Sequence, residues 1–160
     1  MPDAYAPAQI AERVCRVGLA KVEMPVTTMV ALAILAGAFI SLGALFYTVT
    51  VTTGRGALPV PFGLLRLAGG VTFSLGLVLV VVGGAELFTG NNLIAMAWAV
   101  GCVRTSQVVR NWLWVYLGNL LGAVGTAALV LLAGVPALGE GTVGETMVQI
   151  ARSKVALDPV

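Results

Sequence analysis

Residues 67–100 form an apolar stretch longer than one membrane crossing, and its middle reads Gly83-Gly84-Ala85-Glu86-Leu87-Phe88-Thr89-Gly90-Asn91-Asn92. A helix rising about 1.5 Å per residue needs about 20 residues to cross the hydrocarbon core. A carboxylate, a threonine, two asparagines and several glycines interrupt this run. Irregular backbone and charge survive at membrane depth only where protein buries them or where they line a cavity. Two half-helices meeting at a polar break is how many transporters build a substrate path. The stretch therefore points to part of a channel or transporter.

Composition agrees with that reading. Hydrophobic residues make up 59% of the 160 and charged residues only 10%, against roughly a quarter charged in a soluble domain. A polytopic membrane protein is the class this implies. The net charge of +2 is too small to suggest a nucleic-acid partner. The chain has no histidine, which excludes histidine-based acid–base work and histidine metal sites within it. Nothing indicates an enzyme, and no catalytic, cofactor or metal-binding residue is assigned. Cys15 and Cys102 lack metal-ligand spacing and fall on the side assigned below to the cytoplasm, so they are expected as free thiols.

Three apolar blocks organise the chain: 26–47, 67–100 with its break, and 112–135. Arg13, Arg16 and Lys21 precede the first block, which exceeds the roughly 7–15 residues of a signal-peptide core and is read as a retained helix. Its small residues (Ala33, Ala36, Gly37, Ser41, Gly43) suit close helix packing in lipid. The third block opens with Trp112, Trp114 and Tyr116, an interfacial aromatic belt, and contains Gly118-Asn119-Leu120-Leu121-Gly122. That GxxxG pattern fits plain helix packing or a defined oligomer contact. One crossing per block puts Arg13, Arg16, Lys21, Arg104 and Arg110 on one side and Arg55, Arg66, Arg152 and Lys154 on the other. The N-terminal cluster and the short basic loop before Trp112 favour a cytoplasmic N-terminus. Residues 7–21 pattern as a helix lying in the interface or against a neighbouring subunit, 48–61 as an extracytoplasmic connector, and 145–155 as a short amphipathic helix. A second copy of the break is not found.

The runs Gly69-Gly70-Val71-Thr72-Phe73-Ser74-Leu75-Gly76-Leu77, Ala85-Glu86-Leu87-Phe88-Thr89-Gly90-Asn91-Asn92-Leu93 and Arg110-Asn111-Trp112-Leu113-Trp114-Val115-Tyr116-Leu117-Gly118-Asn119-Leu120-Leu121-Gly122-Ala123, with the earlier Gly37-Ala38-Phe39-Ile40-Ser41, resemble the formate/nitrite transporter family. Their order and spacing agree across nearly the whole chain. The resemblance implies an all-α membrane protein with three transmembrane spans, the second broken by an Ω-like loop. These would form one inverted repeat of an aquaporin-like six-helix protomer assembled as a pentamer with one pore per protomer. It places Leu87 and Phe88 at a pore constriction, Thr89 facing substrate, and Phe73 and Leu77 along apolar narrows. Lys154 resembles an outer-vestibule lysine and Lys21 a lysine on the cytoplasmic side. The family's pore histidine has no counterpart here, and family members are nearly twice as long, so the chain reads as half a pore.

The expectation is one membrane domain over 1–160: a cytoplasmic interfacial helix in 1–25, spans at 26–47, 67–100 and 112–135, and from 136–160 an extracytoplasmic loop leading to a missing second half. Its setting is the plasma (inner) membrane of a bacterium or archaeon. The expected function is passage of small monovalent anions or their weak acids (formate, nitrite, hydrosulfide), with membrane lipid and further copies of the chain as partners. The alternatives are a truncated non-functional product and a small membrane anchor for a redox complex. An ionised acid at helix centre costs about 2.5–3.5 kcal/mol on insertion scales, so Glu86 should be paired. It is expected to clamp the loop, with freed backbone N–H groups as available donors, rather than to touch substrate. The Thr89 hydroxyl can donate and accept, which suits an oxyanion in either protonation state. Asn119 is expected as an interhelical hydrogen-bonding residue.

Overall fold

A computed structural model describes residues 5–53 and 60–156, and among these all regular structure is helical. In chain order the helices are α1 (Pro7–Glu23), α2 (Val26–Val51), α3 (Phe62–Val82), α4 (Phe88–Asn91), α5 (Ile94–Ala99), α6 (Thr105–Leu132) and α7 (Thr142–Val155), with a 3-10 turn at Val135–Ala137. The helices α2, α3 and α6 are long and apolar enough to cross a membrane. Their ends do not coincide with the apolar blocks: α2 runs on past 47, α3 starts ahead of 67, and α6 starts ahead of 112 and stops short of 135, because hydropathy marks the lipid-compatible length while a helix continues as long as its backbone bonds are made. At the end of α2 the hydroxyl of Thr48, and just past it that of Thr52, turn back onto the carbonyls of Ala44 and Thr48. The helix α6 begins ahead of Trp112, so the aromatic belt falls inside it rather than at its start. Arg55, with residues 54–59 of the expected connector, and Asp158-Pro159-Val160 lie outside the described residues.

The chain divides into two compact units: residues 1–37 with 82–122, and residues 38–81 with 123–160. In the first, α1 packs on α5 through Gly18, where an added Cβ would come within 2.6 Å of the Ala97 Cβ. Val22, Ile94, Ala97, Val103 and Val108 form a buried cluster beneath that contact. Arg110 donates to the carbonyl of Val22, placing a guanidinium at the negative end of α1. Met29, Ala33 and Val115 make a second cluster joining α2 to α6. Along α6 the buried residues Val108, Asn111, Val115, Gly118 and Gly122 recur at alternating spacings of three and four, which puts them on one face. Gly118 lies against Ala33, so the GxxxG stripe is used for packing inside the unit.

In the second unit, α2 meets α3 where Gly43 faces Gly76. A Cβ at Gly43 would come within 2.8 Å of the Phe73 carbonyl oxygen, and one at Gly76 within 2.7 Å of the Phe39 carbonyl oxygen. The small residues of this contact let two backbones approach as closely as sheer sterics permit. Further along, Gly69 sits under the ring of Tyr47 and the side chain of Val51. The turn before α7 runs through Gly139, Glu140 and Gly141 with φ of 60°, 56° and 88°, a left-handed path that its two glycines accept without strain.

One expectation is corrected. Cys15 and Cys102 are not free thiols but are joined as a disulfide, with Cα atoms 5.9 Å apart. Their separation of 87 residues hid the pairing from the sequence. The docking of α1 on α5 at Gly18 brings them into bonding range.

Candidate functional site in the broken span

The break begins where α3 ends at Val82 and Gly84 takes a φ of 61°, the left-handed conformation that commonly closes a helix. Ala85, Glu86 and Leu87 then run without helical bonds, and Leu87 is extended at φ −95°, ψ 131°. The chain turns through α4, then α5. A backbone released from its helix must find partners elsewhere, and here they come from other helices. The Glu86 N–H donates to the Leu32 carbonyl of α2 at 3.2 Å. Asn119 of α6 clasps the loop: its Oδ1 accepts from the Phe88 N–H at 2.9 Å, and its Nδ2 donates to the carbonyls of Glu86 and Ala33, each at 2.9 Å.

The Glu86 side chain is 4% exposed overall as a residue and is fully engaged. Its Oε1 accepts from Lys21 Nζ at 2.6 Å, and its Oε2 from Asn91 Nδ2 at 2.7 Å. The partners are thus an ammonium and a side-chain amide rather than the loop N–H groups available in the sequence reading. Asn91 is completely buried and extends the network: its Oδ1 accepts from Lys21 Nζ at 2.9 Å, and its Nδ2 also donates to Asn111 Oδ1 at 2.9 Å. Asn111, equally buried, donates to the Lys21 carbonyl at 3.2 Å and to Met29 Sδ at 3.7 Å. The Trp112 indole N–H reaches the Asn91 carbonyl at 3.1 Å. No buried side-chain nitrogen or oxygen among the described residues lacks a partner. A buried pair is tolerable only on such terms, since desolvation otherwise outweighs Coulomb attraction.

Of the residues singled out in the sequence, Lys21 and Glu86 are brought into direct contact, with Leu87, Phe88 and Thr89 adjacent. The Phe88 ring stands edge-on to Trp112 and Tyr116, with centroids at 6.3 and 5.6 Å, and packs on the Met29–Ala33–Val115 cluster. Thr89 is exposed, and its hydroxyl makes no hydrogen bond among the described residues. In the other unit, Phe73 and Lys154 line a cavity of about 820 Å³, together with Tyr47, Thr48, Arg66 and Ser153. Leu77 is exposed on α3 and is not among the residues lining that cavity. Arg66 donates to the Tyr47 hydroxyl and stacks over the Phe62 ring, so a residue used in the sequence only to count charge shares the cavity of Lys154. Asn91 and Asn111 were the residues sequence reasoning missed. The available signal was an amide on the apolar face of α6, in step with Val108, Val115 and Gly118.

Three apolar helices, one followed by a break whose buried side-chain polar atoms all have protein partners, define a multi-pass membrane protein of the transporter and channel class. The description "Formate/nitrite transporter" fits residues 8–160 as a family, and the chain belongs to it. It is 42% identical over 153 residues to the "Formate channel FocA" of Escherichia coli strain K12, covering 96% of this chain and 53% of that protein. Over 122 residues it is 39% identical to the "Formate channel BtFdhC" of Bacillus thuringiensis, covering 75% and 46%. A solved "Pentameric formate channel with formate bound" superposes with a TM-score of 0.71 at 34% identity, over 82% of this chain and 51% of that one. The chain therefore spans about half the length of the relatives it matches. Its fold is the three-span, broken-helix portion of that family's channel fold.

Proposed function

We propose that this chain forms one half of a pore for small monovalent anions or their weak acids, with formate the first candidate and nitrite and hydrosulfide the others. The observation that carries the reading is the division of labour in the break. Lys21, Asn91, Asn111 and Asn119 satisfy the loop's backbone and carboxylate, while the neighbouring Thr89 hydroxyl is left free and exposed. The relatives named as formate channels support the choice of substrate class.

In this reading Leu87 and Phe88 are apolar gate residues with Thr89 the polar contact next to them in the chain, and Phe73 and Leu77 line apolar narrows. An anion entering a dry gate loses its hydration, whereas the protonated acid loses far less. Cations outside the gate attract the anion and raise its local concentration; Lys154 with Arg66 fills that role in the 820 Å³ cavity. Lys21, bound to Glu86 and Asn91, serves the loop and the cytoplasmic approach to it. Glu86 stays a clamp, because a carboxylate free in the bore would repel the substrate. The chain acts without catalysis in the plasma membrane of a bacterium or archaeon. Its N-terminus lies in the cytoplasm. Its assembly is a homopentamer, a reading supported by the similar solved formate channel, which is pentameric.

The test is formate flux in vesicles carrying the chain co-expressed with a second half-repeat. Thr89→Val keeps size and removes the hydroxyl, and a lost bond of about 1.5–3 kcal/mol to a charged group lowers flux roughly ten- to hundred-fold if that step limits the rate. Leu87→Ala instead widens the gate, so flux holds or rises and a larger carboxylate competes better. If both changes only lower expression equally, these residues are packing and the reading fails.

A further inference from the structure

The half-pore reading gives no role to the bond between Cys15 and Cys102. Cys102 is held in place by the end of α5. The Gly101 N–H donates to the Trp98 carbonyl and the Cys102 N–H to the Ala97 carbonyl, with Gly101 at φ 79°, which is a Schellman closure with Cys102 as its last member. Cys15 sits in the middle of α1, one turn before the Gly18–Ala97 contact. Both cysteines are half-buried, so a small thiol can reach them.

The two ends of α1 are held differently. Its C-terminal end is fixed without the disulfide, by Gly18 on Ala97, by buried Val22, by Arg110 on the Val22 carbonyl, and by Lys21 on Glu86 and Asn91. Ahead of Cys15, the side chains of Tyr5 and Ile10 are exposed and edge a cavity of about 280 Å³ that Leu93 and Ile94 also line. The bond is thus the last fastening before a stretch of helix with little else to hold it. Arg13, Arg16, Lys21, Arg104 and Arg110 surround these segments in sequence, the pattern of a cytoplasmic face. In that compartment disulfides are transient and are used for sensing rather than as permanent staples.

We propose that Cys15 and Cys102 form a reversible thiol–disulfide switch that fastens the N-terminal part of α1 to the end of α5, beside the broken span. The inference rests on the cytoplasmic placement given under Proposed function, and not on which anion is carried. In the reducing direction a dithiol attacks one sulfur as the thiolate, forms a mixed disulfide, and closes on itself. Two electrons and two protons pass to the cysteines, leaving two thiols and an oxidised dithiol. Oxidation by a low-molecular-weight disulfide is the reverse. Reduction frees residues 7–17 while Lys21 keeps its hold on the loop, so the switch acts on the approach to the break rather than on the clamp.

Thiols are counted in cells expressing the full chain, by acid quenching and alkylation with a polyethylene-glycol maleimide that shifts the band once per free cysteine. Two free thiols are expected in unstressed cells, none after diamide, and two again when diamide is removed. Amide exchange of residues 8–17 in purified protein should rise roughly tenfold on reduction, and Cys15→Ser should show the fast rate under either condition. Thiols that stay free after diamide overturn the switch, as does a bond that persists in unstressed cells and in native membranes under excess dithiothreitol. Exchange that is equal in both states overturns the fastening. Labelling in intact cells by a membrane-impermeant maleimide overturns the placement itself, an outcome distinct from a bond that does not form.

Discussion

The loop beside α4 and the crossing of α2 on α3 solve the same problem by opposite means. At the crossing, Gly43 and Gly76 bring two backbones together with no side chain intervening, and specificity comes from what would collide. At the loop, backbone and carboxylate are held by Lys21, Asn91, Asn111 and Asn119, and specificity comes from what would be left unpaired. Lipid tails supply no hydrophobic drive between helices, so packing and polar satisfaction must do the work. A helix with its bonds made needs only packing. A broken one must import donors and acceptors, and it imports them from three other helices.

Removing the clamp's charge should test that contrast most severely. Glu86→Ala leaves Lys21 without its anion and takes one of two acceptors from the Asn91 amide, a loss of roughly 3–5 kcal/mol for a broken buried pair. The lower part of that range is expected, because the Lys21 side chain is 24% exposed. Thermal unfolding in detergent, followed by tryptophan fluorescence, reads it. The double variant Lys21→Met with Glu86→Leu should lose much less than the two single changes summed, and additive losses would show that the pair is not coupled.

Asn119→Leu comes next, at about 2–3 kcal/mol, since the Phe88 N–H and the Glu86 carbonyl both lose their partner. Amide exchange at residues 86–89 should quicken more than at the Gly43–Gly76 crossing; uniform quickening would count against a local clasp. At the crossing itself, Gly76→Ala forces a methyl toward the Phe39 carbonyl, and overpacking of this kind costs about 1–2 kcal/mol. Gly70→Ala is the matched control on the same helix. Nothing stands within 4 Å of its added Cβ, so stability should hold or gain up to about 0.5–1 kcal/mol from helix propensity. Equal losses at Gly70 and Gly76 would remove close approach as the explanation for the crossing.

Much of this was legible in the chain. The three apolar blocks gave three apolar helices, and the polar residues 83–92 gave the break, because a period of 3.6 and the cost of polar groups in lipid are local properties. Glu86 was recognisable as a residue that needed a partner for the same reason. The identity of that partner was not, because Lys21 lies 65 positions away and only the docking of α1 on α5 brings it within 2.6 Å. Asn91 and Asn111 look alike in the sequence to Asn92, yet the first two are buried donors and acceptors while Asn92 is exposed. Which amide faces inward depends on how α4 turns against α6.

The sequence by itself determined the class of the molecule, the spans, the position of the break and the family. Each follows from short-range pattern: hydropathy, helical period, glycine at a helix end, and motifs read in order. Only the tertiary structure decided that Cys15 meets Cys102, that Lys21 holds Glu86, that Asn119 clasps the loop, and that Arg66 shares a cavity with Lys154. These pairings join residues far apart in the chain, and a contact of that kind is fixed by the packing of whole helices, here through Gly18, Gly43, Gly76 and Gly118, rather than by any local preference of the residues that make it.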